Sequence, residues 1–455
     1  MLHSQQNQHT CLSGRTSILI IAFLLFSLFQ LQAADEPKPG RSLDIGANKT
    51  GISFGNSRIF TGLRFNWRDH HVDRISGINI TLWPARDNER AVVRGLSFGV
   101  LPEAGRLTGI NLGILGAGAE DDMRGLNVSL IGLGAGNDVS GINIAGVGLG
   151  AGRDVSGLNL GLLGVGAGEN LTGINLAGIG VGSGGDMGGL NVGLIGSGAG
   201  KSLAGISFGG LGVGSGLDMT GVNVSFGGIG AGTDLMGINV GGIGIGAGQD
   251  LTGLNFTFGG LGAGENLSGI TFAGLGVGAG HNVSGINLSF GGIGAGNDLF
   301  GINVAGIGIG SGSSTSGINL AGIGVGGGSR LVGLNVAGIG VGSGGLMKGI
   351  NIGGVGAGAP EVKGFTVGGI GAGGNEVTGA MLALAFVRVE DHNGEITGFL
   401  ASAFNQVKGT QRGVSVGILN MARRLKGFQF GLINYVSDNP TLFKIMPIMN
   451  FSFRD

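Results

Sequence analysis

Gly173-Ile174-Asn175-Leu176-Ala177-Gly178-Ile179-Gly180-Val181-Gly182-Ser183-Gly184-Gly185-Asp186-Met187-Gly188 is one unit of a pattern that occurs sixteen times across residues 109–363, at a period of sixteen residues. A fixed short period is the signature of a stacked repeat array, in which every unit occupies an equivalent place. Fourteen of the sixteen units carry Asn at the third position, from Asn111 to Asn351, and the other two carry Ser207 and Thr271. Apolar residues fall at positions 2, 4, 7, 9, 11 and 15, so the alternation begins on even places and changes to odd ones. In a straight strand that change would turn half of the apolar set to the opposite face. A bend at the glycine of position 6 and a second at the Gly-x-Asp of positions 12 to 14 bring both halves to one interior. In this reading Ile174, Leu176, Ile179 and Val181 point inward, and the Asn column runs as a ladder along the outside.

The array is therefore expected to be all-β: a glycine-rich parallel β-solenoid with one unit per coil and a cap at each end. At the strand spacing of ~4.8 Å, sixteen coils make a rod of about 75 to 80 Å. Position 6 alternates large and small through Leu130, Gly146, Leu162, Gly178, Leu194, Gly210, Phe226, Gly242, Phe258, Gly274, Phe290 and Gly306, so its period is thirty-two. Where Phe stands there, position 7 becomes Gly227, Gly259 or Gly291, which reads as volume compensation in a packed interior. The same alternation suits an antiparallel meander or an outer-membrane β-barrel, and the terminal stretch 445–453 places Ile445, Met449, Phe451 and Phe453 on one face, as a final barrel strand does. Against the barrel, either face of a repeat strand sets glycines or Asn where lipid requires a clean apolar band, and all turns are equally short.

The 455 residues include 108 glycines and are 12% charged and 42% hydrophobic, too apolar for a disordered glycine-rich linker. Seven prolines and no three-residue glycine period exclude collagen. A net charge of -1 gives no field to attract nucleic acid. Arg15, the apolar run 18–29, and Ala33 with Ala34 read as an export signal over residues 1–33, the run being too short to span a bilayer. The single cysteine, Cys11, precedes that run, so the mature chain has no thiol for disulfides or cysteine-metal sites. Residues 34–108 keep an irregular Gly-apolar-Asn/Ser beat and read as an N-terminal cap. Residues 364–455 combine shortened repeats, a longer strand at 381–389, a hairpin signal at Asn393-Gly394 and a C-terminal cap.

Two fourteen-residue units, Gly413-Val-Ser-Val-Gly-Ile-Leu-Asn and Gly427-Phe-Gln-Phe-Gly-Leu-Ile-Asn, lead to Asn-Pro and a Pro-Ile-Met-Asn-Phe strand. Over residues 413–453 this resembles bacterial surface-repeat proteins of spirochaetes and several other Gram-negative groups. The resemblance implies cell-surface or outer-membrane placement and no particular chemistry.

No catalytic, cofactor-binding or metal-binding residues are assigned. The turns of the type seen at 294–299 resemble calcium-binding β-roll loops, but the Asp place also holds Asn170, Ser202, Asn266, Asn282, Ser314, Arg330 and Leu346. Capping of a tight turn is the expected role of Asp there. The group Asp69, His70, His71 and Asp73 reads as a solvated loop, since adjacent histidines on a strand face opposite ways. The many Gly-x-Gly-x-x-Gly matches follow from glycine content alone. Asn223-Val-Ser and Asn255-Phe-Thr are sequons that matter only in a glycosylating host. The expected function is that of an exported, non-enzymatic surface or outer-membrane scaffold, structural or adhesive, of a Gram-negative bacterium, with the periplasm or the extracellular space as the alternative location. An outer-membrane channel and a calcium-stabilised β-roll are the alternative functions. Expected partners are the outer membrane, surface ligands or further copies of the chain, with no nucleic acid and no small-molecule substrate.

Overall fold

The computed structural model describes residues 41–453; the expected export signal, with Arg15 and Cys11, lies outside the described residues. The chain winds as a parallel β-solenoid. A repeat coil consists of a long strand such as Leu171–Ala177, a two-residue corner, a short strand such as Gly180–Ser183 and a three-residue turn. Long strands pair in parallel with long strands sixteen residues away, Asn159 beside Asn175 and Asn175 beside Asn191. Short strands pair likewise, Val165 beside Val181. Even the corners are stacked, because Gly178 N–H and Ile179 N–H donate to the carbonyls of Leu162 and Leu163 one coil earlier. The lean connections thus leave few backbone groups unpaired.

Neither the meander nor the barrel is adopted. The only antiparallel pairs among the described residues lie at the two ends, Ser42–Ala47 against Thr50–Gly55 and Ile445–Ser452 against Leu419–Val436. Between them a single column of glycines continues through the irregular flanks: Gly51, Gly62, Gly77, Gly95 and Gly109 stack in register at one end, and Gly349, Gly364, Gly379, Gly398, Gly413 and Gly427 at the other. Each has positive φ, and a Cβ on Gly173 would lie 2.1 Å from the Gly157 carbonyl oxygen. Only glycine suits this column. The Asn393-Gly394 pair forms no hairpin, because the strands around it, Phe386–Val389 and Glu395–Ala401, pair with other coils in parallel. The expected longer strand at 381–389 is likewise two strands, Glu376–Ala383 and Phe386–Val389, divided by a corner.

Both bends fall where the sequence placed them, but the long strand is turned inside out relative to expectation. Leu171–Ala177 is one unbroken strand joining position 15 of one unit to positions 1 to 5 of the next. Leu171 is fully buried, so strict alternation also sends Asn175 and Ala177 inward and Ile174 and Leu176 outward. Asn175 is 0% exposed, whereas Ile174 and Ile179 are each 44% exposed. Positions 9, 11 and 15 do face inward, as Val181, Ala167 and Met187 show.

The buried Asn column remains satisfied because each amide bonds the next. Asn Nδ2 donates to the Oδ1 one coil further on, at 2.6 to 2.8 Å, from Asn111 through Asn127, Asn143, Asn159 and Asn175 to Asn191. Further runs link Asn223 to Asn255 and Asn287 to Asn351. Ser207 and Thr271 interrupt the ladder, leaving Asn191 Nδ2, Asn223 Oδ1, Asn255 Nδ2 and Asn287 Oδ1 buried without partners.

The large-small alternation at position 6 is also an exterior feature and not an interior one. Leu130, Leu162, Leu194, Phe226, Phe258 and Phe290 are each 62% or more exposed. The intervening glycines answer to the backbone: a Cβ on Gly178 would lie 2.2 Å from the Leu162 carbonyl oxygen, and one on Gly227 2.0 Å from that of Leu211. The large residues have no such local cause, since Gly306, Gly322, Gly338 and Gly354 occupy the same place in consecutive coils.

Candidate functional site

A strand residue that points outward is repeated every coil, so the surface of the rod is a set of columns. On the long strand, positions 2 and 4 present Ile, Leu, Val and Phe in all sixteen units, for example Ile174 and Leu176, then Leu190 and Val192. The knobs at position 6 lie beside them. The Phe226 ring meets Phe208 edge-on at 5.8 Å, Phe258 meets Phe256 at 5.2 Å, and Phe290 meets Phe272 at 5.8 Å. Between residues 109 and 359, positions 1 to 11 of the units contain no charged residue. One whole face is therefore apolar and open.

The short strand presents the opposite extreme. Its outward places, positions 8 and 10, are glycine in every unit, so that face is bare backbone. Steric need does not explain this: a Cβ on Gly164 or Gly166 would approach its nearest atom only to 3.7 Å, and one on Gly230 would meet nothing within 4 Å. The bare face ends where side chains lie on it. The Phe386 ring covers Gly371 at one end and Leu101 covers Gly116 at the other. Beside Phe386 an open groove of about 500 Å³ is lined by Gly356, Gly358, Gly373, Arg388 and Glu390, with the Arg388 guanidinium 5.3 Å from the Phe386 ring centre.

Charge is confined to the edge formed by positions 12 to 14 and 16. There several aspartates bond the next coil and not, as expected, their own turn: Asp154 Oδ1 accepts from the Asn170 backbone N–H at 3.1 Å and from Asn170 Nδ2 at 2.9 Å. Asp186 Oδ1 accepts from Ser202 N–H, Asp234 from Asp250 N–H and Asp298 from Ser314 N–H. Oxygens directed at backbone amides of the next coil are not arranged around a cation, which needs several of them converging.

The Asp69, His70, His71 and Asp73 group separates into three environments. Asp69 is not solvated: it is buried and pairs with the equally buried Arg64, while Asn66, Asn79 and Thr81 also donate to its carboxylate. Asp73 is exposed and bonds Arg58. His70 and His71 do not point apart, because His71 has φ +50 and leaves the strand, which brings the ring centres to 4.0 Å. Potential ligand atoms of His70, His71 and Asp87 lie within 4.8 Å of one another. Burial and the neighbouring His71 hold His70 below the usual histidine range. Arg86 pairs with Asp87 at 3.6 Å, and both Arg86 and Arg68 act on His70, so two guanidinium charges oppose a cation in this place. The sequon residues Asn223 and Asn255 are buried in the ladder, out of reach of modification.

The sequence reading missed the apolar exterior. Its signal was available in position 15: an apolar residue two places before the invariant glycine belongs to the same strand as positions 1 to 5, and its parity assigns Asn to the interior.

Compared with known protein families, curated proteins and solved structures, the chain matches none.

Proposed function

We propose that this chain is an exported, non-enzymatic scaffold held at the surface or outer membrane of a Gram-negative bacterium, where its long repeated faces provide structural or adhesive contacts. The observation that supports this reading most is the columnar surface, in which each outward residue type recurs coil after coil and extended contact replaces a local site. The parallel solenoid gives the scaffold its rigidity, since every coil is bonded to both neighbours along its strands. The apolar run 18–29 and the likeness of residues 413–453 to surface-repeat proteins support export and surface placement. The channel alternative loses its basis with the barrel, because the interior is filled by Val181, Met187 and the Asn ladder. The calcium-stabilised alternative is disfavoured by the aspartates capping backbone amides.

The test is fractionation of a Gram-negative host expressing the full chain, with the N-terminus of the product sequenced and intact cells treated with protease. Processing near Ala33 and protease-accessible protein in the outer-membrane fraction are expected. Unprocessed protein confined to the cytoplasm would overturn the proposal.

A further inference from the structure

The apolar face is too large and too regular to be left in water. Counting only the columns at positions 2, 4 and 6 over sixteen coils, it measures roughly 15 Å by 75 Å, or about 1,100 Å². A typical monomer exposes contiguous apolar patches of no more than about 300 to 600 Å². A stable dimer buries about 800 Å² on each partner, and obligate homodimers bury more. The face thus has the area of a complete homodimer interface on one copy.

Its relief identifies the occupant. The exposed knobs Leu130, Leu162, Leu194, Phe226, Phe258 and Phe290 recur every second coil, and a glycine gap follows each one. In the central coils the pattern extends over two columns, because Leu211, Ile243 and Leu275 at position 7, each at least 72% exposed, alternate with Gly227, Gly259 and Gly291. Knobs and gaps two coils apart are complementary to a surface with the same rise and the same relief. A lipid surface has no such period, and the carboxylates of the polar edge, such as Asp154, Asp186 and Asp218, outnumber its basic residues, such as Arg153 and Lys201, whereas an element drawn to anionic lipid carries an excess of basic residues.

We infer that two copies of this chain associate face to face through these columns, with the rods antiparallel and the knobs of one copy seated over the glycine gaps of the other. A twofold axis across the rod sets each column against itself with the coil order reversed, a closed isologous contact. With the axis between the coils of Ile243 and Phe258, Phe258 faces Gly242, Phe226 faces Gly274 and Phe290 faces Gly210. In the same register Leu211, Ile243 and Leu275 face Gly291, Gly259 and Gly227. A parallel pairing with its axis along the rod sets each coil against its own copy, knob level with knob, and loses this fit. The interdigitation is that of two dry sheets packed face to face. The inference concerns self-association and is independent of where the protein resides.

Sedimentation of the full chain in detergent-free buffer tests it. The expected result is a dimer for the native chain, and for Phe226→Ser/Phe258→Ser/Phe290→Ser a dissociation constant raised at least about 100-fold, because hot-spot side chains are removed from the centre. Circular dichroism should be unchanged, since these side chains lie outside the core. A native chain that is monomeric at all concentrations overturns the inference without any variant, and so does a monomer that floats with phosphatidylethanolamine vesicles through the same residues. A triple variant that is folded and dimerises as well as the native chain also overturns it. In a Cys11→Ser background, Phe258→Cys should be joined across the dimer by a short bismaleimide. Leu130→Cys should not be joined, its two copies lying about 70 Å apart along the rod. Joining of both would overturn the antiparallel arrangement.

Discussion

At the scale of single residues the buried Asn ladder is where a small change matters most. Asn175 accepts from Asn159 at 2.7 Å and donates to Asn191 at 2.8 Å, so Asn175→Ala removes two bonds and leaves two interior groups without their ladder partners. The expected loss is about 2 to 4 kcal/mol, because an unsatisfied buried group costs more than the bond itself contributes. Ile179→Asp, on the exposed corner, should change the stability of the monomer by no more than about 1 kcal/mol. Denaturation midpoints in that order follow from the structure; the opposite order would mean that the strand faces the other way. The converse experiment is a repair. Ser207→Asn supplies the missing rung between Asn191 Nδ2 and Asn223 Oδ1 and should stabilise by about 2 kcal/mol, seen as a raised midpoint. Glu103 offers a test by pH: burial raises its pKa to about 7. The folded chain then retains a proton that the unfolded chain has lost between the usual carboxylate range and about 7, so stability falls as pH rises through that window. Glu103→Gln should remove this slope and stabilise at pH 8 by on the order of 3 kcal/mol, with little effect at pH 4.

At the scale of the coil, two kinds of glycine have different reasons to be present. Gly173 has positive φ and stands 2.1 Å, measured from an added Cβ, from the backbone of the preceding coil. Gly173→Ala should therefore disrupt its coil and lower the thermal midpoint sharply. Gly164, with 3.7 Å of clearance and ordinary φ, should accept Ala and gain about 0.5 to 1 kcal/mol from reduced freedom of the unfolded chain. Calorimetry of the two variants separates them. This difference marks what was legible in the sequence. The period and the two corners followed from the repeat, because each is a property of spacing. Parallel stacking did not, and was favoured over the meander and barrel only because glycines and Asn would have faced lipid and all turns are short. Which side of the long strand is interior was not legible from the hydrophobicity of positions 2 to 4 alone, since Ile174 is more apolar than Asn175 and yet faces out; only the parity of the apolar position 15 carried it. Hydrophobicity ranks residues one at a time, whereas an Asn column is satisfied only collectively by its neighbours above and below. The convergence of His70 and His71 was hidden for another reason, a left-handed residue at the end of a strand.

At the scale of the whole molecule the solenoid is a sum of neighbour interactions, which makes deletions informative. Removing the thirty-two residues 221–252 joins the coil of Gly210 and Leu211 to that of Phe258 and Gly259, the same succession as in the native Leu211 to Phe226 step. That variant should fold with modestly lower stability. Removing only residues 237–252 sets Phe258 directly after Phe226, where a Cβ at the native Gly242 would lie 1.8 Å from the Phe226 carbonyl oxygen. Its corner must rearrange, and limited proteolysis should cut it there and spare the longer deletion. Equal resistance of the two would show that the corner accommodates either residue. The two terminal antiparallel strands matter at this scale as well, since among the described residues each covers the outermost long strand of the stack with a strand of opposite direction, where a further parallel coil would otherwise add.

The strict equivalence of one unit to one coil also gives this molecule an arithmetic. Its reach is an integer multiplied by a fixed step, so duplication or loss of repeats in its coding sequence, two units at a time where large and small residues alternate at position 6, lengthens or shortens it in whole increments while the pattern of every face stays the same. Heredity can thus adjust how far the protein extends without redesigning what it presents, as a ruler is cut longer or shorter without redrawing its marks.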